Sequence, residues 1–340
     1  MKSGTKTALK AAVAATLLFL LYRKVDGRAL LSLFSGMDLR WPPLFFAVAF
    51  ANMYVSSVRW SLFLRAGGAD VPVSALFASH WIASFCNFFL PSNVGGDIYR
   101  VADVGAKSGS AVRGTASVFM DRLSGFLAMS AMGVVFPLAG LRFVPAAQAP
   151  WLLVPPAFFL AFAAVFALFV FGQKFLRRTV AFLPGRAGGK VRDVADRFLV
   201  SVSACSRRPA VLARAFALSV VFQFLVFVAI WATGRSLRIP VPFAWYCVFA
   251  PLVCILESLP VSINGMGLRE AAYTVFFGIA FPLVGFDPPE GVAAADWPRT
   301  CAGAIALAYM GFTLLYALGG GLLLARRAFS GRARGAGKSA

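Results

Sequence analysis

Two short stretches of sequence decide the fold, and both begin with a leucine-proline pair. Residues 90–100 read LPSNVGGDIYR, and residues 259–269 read LPVSINGMGLR. In each stretch a glycine stands five residues after the proline and an arginine stands nine residues after it. An apolar run precedes each stretch. Equal spacing of the same residue types in two such contexts favours an internal repeat over a chance match.

The residue types in these stretches predict a broken helix in each half of the chain. Proline removes a backbone hydrogen bond, and glycine adopts conformations that end a helix. At membrane depth, backbone groups released in this way are buried in protein or line a wet cavity. The free helix ends favour anions, and Arg100 and Arg269 add a full positive charge to each break. We therefore predict one anion site where the two breaks meet. In the alternative, both breaks are interfacial loops whose arginines anchor to phosphates.

Composition excludes most soluble classes of protein. Of the 340 residues, 60% are hydrophobic and only 14% are charged, and the mean hydropathy is +0.78. Soluble domains are roughly half apolar and about a quarter charged, so this sequence cannot cover a water-facing surface. We expect an all-α, polytopic helical membrane protein. Because a span needs about 20 apolar residues, six to eight spans would use most of the chain.

Charge and the counts of cysteine and histidine narrow the chemistry. The chain has 33 Lys and Arg against 13 Asp and Glu, a formal net charge of +20. In a membrane protein this excess is typical of cytoplasmic loops that face anionic lipid, so we expect no nucleic-acid partner. The five cysteines form no CxxC pair, and His80 is the single histidine. We therefore expect no metal site, no cofactor and no catalytic triad, and we expect His80 to be a membrane-buried polar side chain.

Hydropathy and charge divide the chain into four parts. These are a first transmembrane repeat half at 1–172 with its polar break at 91–100, a basic amphipathic cytoplasmic linker at 173–208, a second repeat half at 209–325 with its break at 260–270, and a basic cytoplasmic tail at 326–340. Residues 174–208 carry nine Lys or Arg and two acids. Apolar residues at helical spacing predict that this linker lies either on the membrane or on the protein itself.

Two topologies are open for the runs at 73–90 and 243–257. As re-entrant hairpins they give an inverted repeat in which every strongly basic segment is cytoplasmic, including both termini. As full spans they place the N-terminal lysines outside. In both topologies residues 43–64 form a span, and we expect Arg59 and Arg65 to snorkel near its end.

The candidate site residues are polar groups in and near the two breaks. Arginines would hold an anion, acids would pair with them or bind a cationic head group, neutral polar groups would donate hydrogen bonds, and glycines would allow close backbone approach. The candidate substrate-binding residues are Arg100, Arg269, Asp97, Glu257, Glu270, Asn93, Ser262, Asn264, Arg122 and Asp121; the backbone-break residues are Pro91, Gly95, Gly96, Pro260, Gly265 and Gly267. Asp121 and Arg122 are also open to being a local, purely structural ion pair.

Three ordered motifs resemble a known family. Residues 87–100, 121–125 and 257–270 are similar to the transmembrane region of lysylphosphatidylglycerol synthases. This flippase-like domain family includes the membrane part of the multiple peptide resistance factor and hopanoid-associated members. The resemblance runs from about residue 8 to residue 325, and Asp121 departs from it mildly, since we expect glutamate there in many relatives.

The resemblance implies a lipid-translocating membrane domain and not synthesis. In the synthases aminoacyl transfer belongs to a separate soluble C-terminal domain, which we expect this chain to lack. We therefore expect a flippase-like translocase in the bacterial inner membrane that moves an anionic or aminoacylated phospholipid, or a lipid-linked intermediate. The partners implied are membrane lipids with anionic head groups, and a homodimer is left open.

Two other functions compete with this one. They are a small-anion channel or exporter, which could use the same helix ends and arginines, and a membrane-embedded polyprenyl-dependent glycosyltransferase, which would need clustered acids. No GxxxxGK[ST] loop occurs in the sequence, so an ion gradient or downhill lipid movement would supply the energy.

Overall fold

Helices form the fold in the parts of the chain that the computed structural model describes, which are residues 19, 23, 25–89, 95–140, 154–181, 188–258 and 267–336. These parts contain no β-strand, and the all-α fold class is confirmed. The helices in chain order are α1 (Gly27–Ser35), α2 (Pro42–Ala66), α3 (Val73–Phe89), α4 (Gly95–Ser108), α5 (Ala111–Gly140), α6 (Val154–Val170), α7 (Gln173–Ala181), α8 (Gly188–Ser206), α9 (Pro209–Ser236), α10 (Phe243–Ser258), α11 (Leu268–Val284) and α12 (Trp297–Ala336).

Three helices among the described residues are long and apolar enough to cross a membrane. They cover Ala111–Leu138, Pro209–Ser236 and Trp297–Phe329. A helix satisfies its own backbone hydrogen bonds, which is why long apolar segments adopt this structure in lipid. Two shorter apolar helices cover Pro156–Val170 and Phe243–Ser258. The expected number of six to eight spans stays a prediction.

The internal repeat extends beyond the two breaks. The turn from α2 to α3 contains Gly68 at a φ of 79°, and the turn from α9 to α10 contains Arg238 at a φ of 58°. Both turns run into a Val-Pro pair, at 71–72 and 241–242. A positive φ is sterically costly for arginine. Its presence here shows that the second turn keeps the backbone geometry that glycine permits in the first turn. The repeat unit is therefore α2–α5 in one half and α9–α12 in the other.

The two repeat units are inverted with respect to each other. The backbone N–H of Asp38, just before α2, donates to the carbonyl of Ser236 at the end of α9 over 2.8 Å. Further along, the Asn52 side chain donates to the Phe222 carbonyl over 3.1 Å. The first helices of the two units thus pack antiparallel, which is the arrangement that an inverted repeat requires.

The segment after the first helix of each unit is a hairpin. In the first unit the Arg113 side chain on α5 donates to the Gly68 carbonyl over 3.1 Å, so the chain leaves the α3–α4 hairpin at the end where it entered. At 1.5 Å per residue these arms are about 26 Å and 21 Å long, short of a bilayer core of about 30 Å. In the second unit Phe249 on α10 stacks on Phe276 on α11 with ring centroids 4.8 Å apart. Each unit therefore contains a helical hairpin, and the re-entrant topology of the two hairpins stays a prediction.

The polar breaks are shorter than predicted. The break expected at 91–100 gives way to α4 at Gly95, and the break expected at 260–270 gives way to α11 at Leu268. Asp97, Arg100, Arg269 and Glu270 consequently lie on the first turns of helices and not in loops. The helices begin early because a side chain caps the backbone N–H of Gly96 in the first break and of Gly267 in the second, as described below.

The hairpins are exchanged between the repeat units. The hairpin helix α3 packs on α12, and the equivalent helix α10 packs on α5. On α12 the side chain of Trp81 lies over Gly319 and its carbonyl lies against Gly320. The Trp81 indole N–H donates to the Tyr316 carbonyl over 2.8 Å. Small residues on α12 therefore set how closely α3 approaches.

The basic linker contains α7 and α8 and packs on the protein over its C-terminal part. Leu199 and Val202 on α8 are buried, and Val202 belongs to a hydrophobic cluster with Phe63 and Met120. Val194, about one and a half turns before Leu199, is 49% exposed. The linker helix is thus a surface helix of the protein at its C-terminal end, where the apolar spacing continues.

We expect Gly320→Ala to destabilise the protein and Gly311→Ala to leave it stable. A Cβ at Gly320 would overlap the Trp81 carbonyl, whereas a Cβ at Gly311 meets nothing within 4 Å. Overpacking costs about 1–3 kcal/mol, which lowers the midpoint of thermal unfolding by roughly 2–6 °C in a chain of this size. Tryptophan fluorescence in detergent micelles measures both variants. Equal midpoints would show that α3 and α12 are not held in close contact.

Candidate functional site

A cavity of about 410 Å³ lies between the two repeat units. It is formed by α2–α5 of the first unit and by α9 and α12 of the second. Polar and charged groups cluster on one part of the wall, and the rest is largely apolar. The polar and charged lining residues are Asn52, Ser56, Arg59, His80, Ser84, Asn87, Asp97, Arg100, Asp121, Arg122, Gln223, Tyr309, Thr313 and Tyr316.

Asp121 is the centre of the charged part of this wall. Its Oδ1 accepts a hydrogen bond from Arg59 Nε over 2.7 Å, and its Oδ2 accepts one from Arg100 Nη2 over 2.7 Å. The Asp121 side chain is 2% exposed, and the two arginine side chains are 5% and 6% exposed. One carboxylate therefore holds two buried guanidinium groups, each on its own oxygen.

Asp97 extends the network toward the open part of the cavity. Its Oδ1 lies 3.3 Å from Arg100 Nη1, and its Oδ2 accepts a hydrogen bond from Arg122 Nε over 2.7 Å. The Arg122 side chain is 38% exposed. The series Arg59–Asp121–Arg100–Asp97–Arg122, hereafter the five-residue network, thus contains three cations and two anions and carries one excess positive charge.

Neighbouring side chains fix the two buried arginines. Arg59 Nη1 donates to Ser219 Oγ on α9 over 3.0 Å. The Arg100 guanidinium lies 4.1 Å from the Trp60 ring centroid, and the Trp60 indole N–H donates to Ser117 Oγ over 2.9 Å. A guanidinium stacked on an aromatic face keeps its planar orientation without further hydrogen bonds. The network therefore has a defined geometry rather than a mobile surface pairing.

The first two turns of α4 place Asp97 and Arg100 on this network. The backbone N–H of Gly96 donates to Asn87 Oδ1 of α3 over 2.7 Å. A Cβ at Gly96 would overlap the Ala83 carbonyl and the Asn87 amide. Asn87 thus caps α4 across the hairpin, and only glycine allows α3 and α4 to come this close. Asn87 is a functional position that the sequence analysis did not select.

The tip of the second hairpin forms a separate polar group. Arg269, which is 8% exposed, has its Nε 3.5 Å from Glu257 Oε1. Glu270 Oε2 accepts the backbone N–H of Gly267 over 2.6 Å, which makes Glu270 the cap of α11. Gly267 itself has a φ of 85°, so the position requires glycine.

The predicted site residues therefore fall into two places. Asp97, Arg100, Asp121 and Arg122 line the cavity together, whereas the described lining does not include Arg269. Glu257, Arg269 and Glu270 gather at the second hairpin instead. Each arginine pairs with an acid of its own hairpin or of the following helix, and the prediction of one site made by both breaks stays a prediction. The residues outside the described ranges are Pro91, Asn93, Pro260, Ser262, Asn264 and Gly265.

Arg59 is the main residue that sequence reasoning misplaced. It was expected to snorkel, yet it is 4% exposed and bound to Asp121. Arg65, six residues further along α2, pairs with Asp70 at the surface. The position of Arg59 in the sequence could have indicated its burial, because it precedes the end of α2 by two turns and stands among apolar residues. Asp121 and Arg122 likewise bind different partners and do not form the local pair that was left open.

The arrangement can bind an anion beside an apolar surface. The network carries one excess positive charge, and an incoming anion would neutralise it. Apolar side chains such as Phe45, Val48 and Met129 continue the wall. Among the described residues, no group of three His, Cys, Asp or Glu side chains could hold a metal ion.

We expect Asp121→Asn to destabilise the protein strongly and Asp70→Asn to have little effect. The first change leaves Arg59 and Arg100 buried without their anion, which costs about 3–5 kcal/mol. The second removes an exposed pair whose side chains are 56% and 80% exposed, worth about 0–1 kcal/mol. Thermal unfolding in detergent measures both. Equal stability of the two variants would mean that the buried network does not hold the helices together.

The comparisons with known proteins agree with the motif resemblance. The family model described as the lysylphosphatidylglycerol synthase TM region matches residues 7–320. The comparisons with curated proteins and with solved structures gave no match. The matched residues include the first repeat unit, the second unit as far as residue 320 in α12, both hairpins and the whole five-residue network. The chain is therefore a multi-pass membrane protein that belongs to the family of lysylphosphatidylglycerol synthase transmembrane regions.

Proposed function

We propose that this protein moves a phospholipid with an anionic or aminoacylated head group, or a lipid-linked anion, between the two leaflets. One observation carries the proposal. The five-residue network brings one excess positive charge to a cavity whose remaining wall is largely apolar. Such a cavity suits a molecule with a charged head and an apolar body.

The depth of the network supports a function beyond folding. Asp121 lies ten residues after the start of α5, which corresponds to about 15 Å along the helix axis. Ionised groups at such depth cost several kcal/mol and by default mark a substrate path. An apolar core would hold the same helices together at lower cost. We infer that the charges are kept because a charged substrate passes them.

The network offers a place for each part of the head group. A phosphate would take up the excess charge at Arg122 and Arg100, whose guanidinium groups border the cavity. The amino group of an aminoacylated head would pair with Asp97. Acyl chains would lie along apolar residues such as Phe45 and Phe126. We propose transport and not catalysis as the role of these groups.

The inverted repeat suggests how the cavity could open to either leaflet. The α3–α4 hairpin packs on α12, and the α10–α11 hairpin packs on α5. Rocking of one unit against the other would expose the cavity alternately. In this proposal Gly319, Gly320 and Gly321, which contact Trp81 and Phe85, form the surface on which the first hairpin moves.

Charge also supports an orientation in the bacterial inner membrane. The end of the molecule at which α2 meets α3 is rich in Lys and Arg. This end also contains α7 and α8, the N-terminus of α5 and the C-terminal part of α12. The opposite end carries the acidic loop with Asp287, Glu290 and Asp296. We propose that the basic end and both termini face the cytoplasm.

A small-anion channel or exporter is the second candidate, because the excess positive charge would serve a small anion equally well. The two functions differ in what crosses the membrane. Purified protein in proteoliposomes containing head-group-labelled anionic and zwitterionic lipids tests both, with anion efflux measured in the same vesicles. Lipid movement supports the proposal. Anion flux without movement of any lipid would replace it with the channel.

We expect Arg122→Gln to slow lipid movement by tenfold or more and Arg65→Gln to leave it unchanged. Arg122 borders the cavity, and its removal cancels the excess charge with little loss of buried structure. A charge-assisted hydrogen bond contributes about 1.5–3 kcal/mol, which corresponds to a factor of roughly ten to a hundred. Arg65 pairs with Asp70 at the surface. Equal rates in both variants would contradict a role for the network in head-group binding.

We also expect Arg269→Gln to slow movement if the second hairpin forms a later part of the path. The same vesicles measure it beside Arg299→Gln, which removes a partly exposed arginine paired with Asp296. A full rate in Arg269→Gln would restrict the proposed binding site to the five-residue network.

A further inference from the structure

His80 lies on the cavity wall beside the five-residue network. It is the single histidine of the chain, and it lines the cavity from α3 together with Ser56 of α2. Its ring lies edge-on to Trp60, with ring centroids 5.2 Å apart. Histidine is the side chain whose ordinary titration falls between pH 5 and 8, so its place at a charged cavity suggests a proton-carrying role.

Hydrogen bonding fixes which ring nitrogen can accept a proton. Ser57 Oγ donates to the Met53 carbonyl over 2.8 Å, which uses its one proton. Ser57 Oγ lies 3.4 Å from His80 Nδ1, and it can therefore only accept a hydrogen bond from this nitrogen. Nδ1 consequently carries the ring proton, and Nε2 carries the lone pair in the neutral form.

Ser56 connects this lone pair to the cavity. Ser56 Oγ lies 3.3 Å from His80 Nε2 and donates its proton to the lone pair. Once Nε2 is protonated, the direction reverses, because Nε2–H donates and Ser56 Oγ accepts. The Ser56 hydroxyl proton is then released to donate to a group in the cavity. The charge of the ring thus determines whether the Ser56 hydroxyl can donate a hydrogen bond to a group in the cavity.

Charged groups face His80 from several elements. Arg59 on α2, Arg100 on α4, and Asp121 and Arg122 on α5 all lie within electrostatic range of the ring. From α12, which packs on α3, the phenol of Tyr316 lines the same cavity. The cations outnumber the anions in this set. Burial and then these cations oppose a positive charge on the ring while the cavity is empty, and an anion beside the ring offsets the effect of the cations.

We propose that His80 takes up one proton when an anionic head group enters the cavity, so that lipid and proton cross the membrane together. This inference deepens the proposed function and rests on it. The proton moves from water in the cavity to Nε2, and the Ser56 hydroxyl then donates to a phosphate oxygen of the head group. On the other side the head group leaves and Nε2 returns its proton to water. A head group with one negative charge is thus carried without net charge, and a proton gradient drives it.

The first experiment measures coupling in proteoliposomes with head-group-labelled phosphatidylglycerol and protein without a polyhistidine tag. One-to-one coupling predicts that a gradient of one pH unit drives the lipid to a ratio of about ten between the leaflets. A membrane potential alone should drive no accumulation, because the complex is neutral. His80→Gln keeps a polar side chain of similar size without titrating, and we expect it to move lipid downhill with a final ratio near one.

Three outcomes of this experiment decide the proposal. Accumulation in the wild type that is absent in His80→Gln supports it. Equal accumulation in both proteins overturns it, as does a ratio near one in a wild type that moves lipid. If the wild type moves no lipid, the proposed function fails, and the proton linkage at His80 is then decided by the binding experiment below.

The second experiment observes His80 directly and needs no transport. Protein labelled with ¹⁵N-histidine gives the signal of one residue, so solid-state NMR in nanodiscs reports the protonation of Nε2. At a fixed pH we expect the neutral form in phosphatidylcholine and a larger protonated fraction in phosphatidylglycerol. Inorganic phosphate added to phosphatidylcholine nanodiscs separates the two sources of anion. A response to phosphate alone would assign a soluble anion and overturn the lipid part of the proposal, and no response to either would overturn it entirely.

Serine variants test the connection through Ser56. In Ser56→Ala the ring still titrates, but we expect phosphatidylglycerol to raise the protonated fraction several-fold less than in the wild type. Ser61→Ala is the matched control, because Ser61 lies on the same helix, bonds its own Val58 carbonyl and is not part of the described cavity lining. The same response in both variants would show that Ser56 does not link His80 to the head group.

Discussion

The arrangement of the helices depends on the two ion pairs that the Asp121 carboxylate forms. It binds Arg59 of α2 on one oxygen and Arg100 of α4 on the other. Three helices of the first unit are thereby joined through buried charges, none of which is stable alone in apolar surroundings. The pairing also sets the charge of the cavity, because Asp97 and Arg122 continue the network and leave one cation in excess.

The five-residue network lies within the first repeat unit, and the inverted repeat brings helices of the second unit against it. Antiparallel packing of α2 and α9 brings Ser219 of the second unit to Arg59 of the first. Exchange of the hairpins places α3 against α12, so that Tyr316 and His80 share one cavity. The first helix of each hairpin packs on the other unit, and the second helix packs on a helix of its own unit.

The two halves have diverged in chemistry while keeping the same backbone. The first hairpin holds its arginine in a network of five charged residues, and the second holds Arg269 near Glu257 with Glu270 capping the helix. Gly68 and Arg238 occupy equivalent left-handed positions, although only glycine adopts this conformation freely. The charged lining residues of the described cavity consequently all come from the first unit.

Hydropathy, charge and the spacing of Leu-Pro, Gly and Arg were enough to predict an all-α membrane protein, its repeat and its family, because lipid requires apolar helices and broken helices need proline and glycine. They also selected Asp97, Arg100, Asp121 and Arg122, since charges are rare in apolar sequence. The partners of these residues were decided by tertiary structure alone. Arg59 looked like a boundary arginine until α5 brought Asp121 to it, and Glu270 looked like a binding group until its own helix used it as a cap. Ion pairs join residues that packing places side by side, and sequence distance carries no information about that placement.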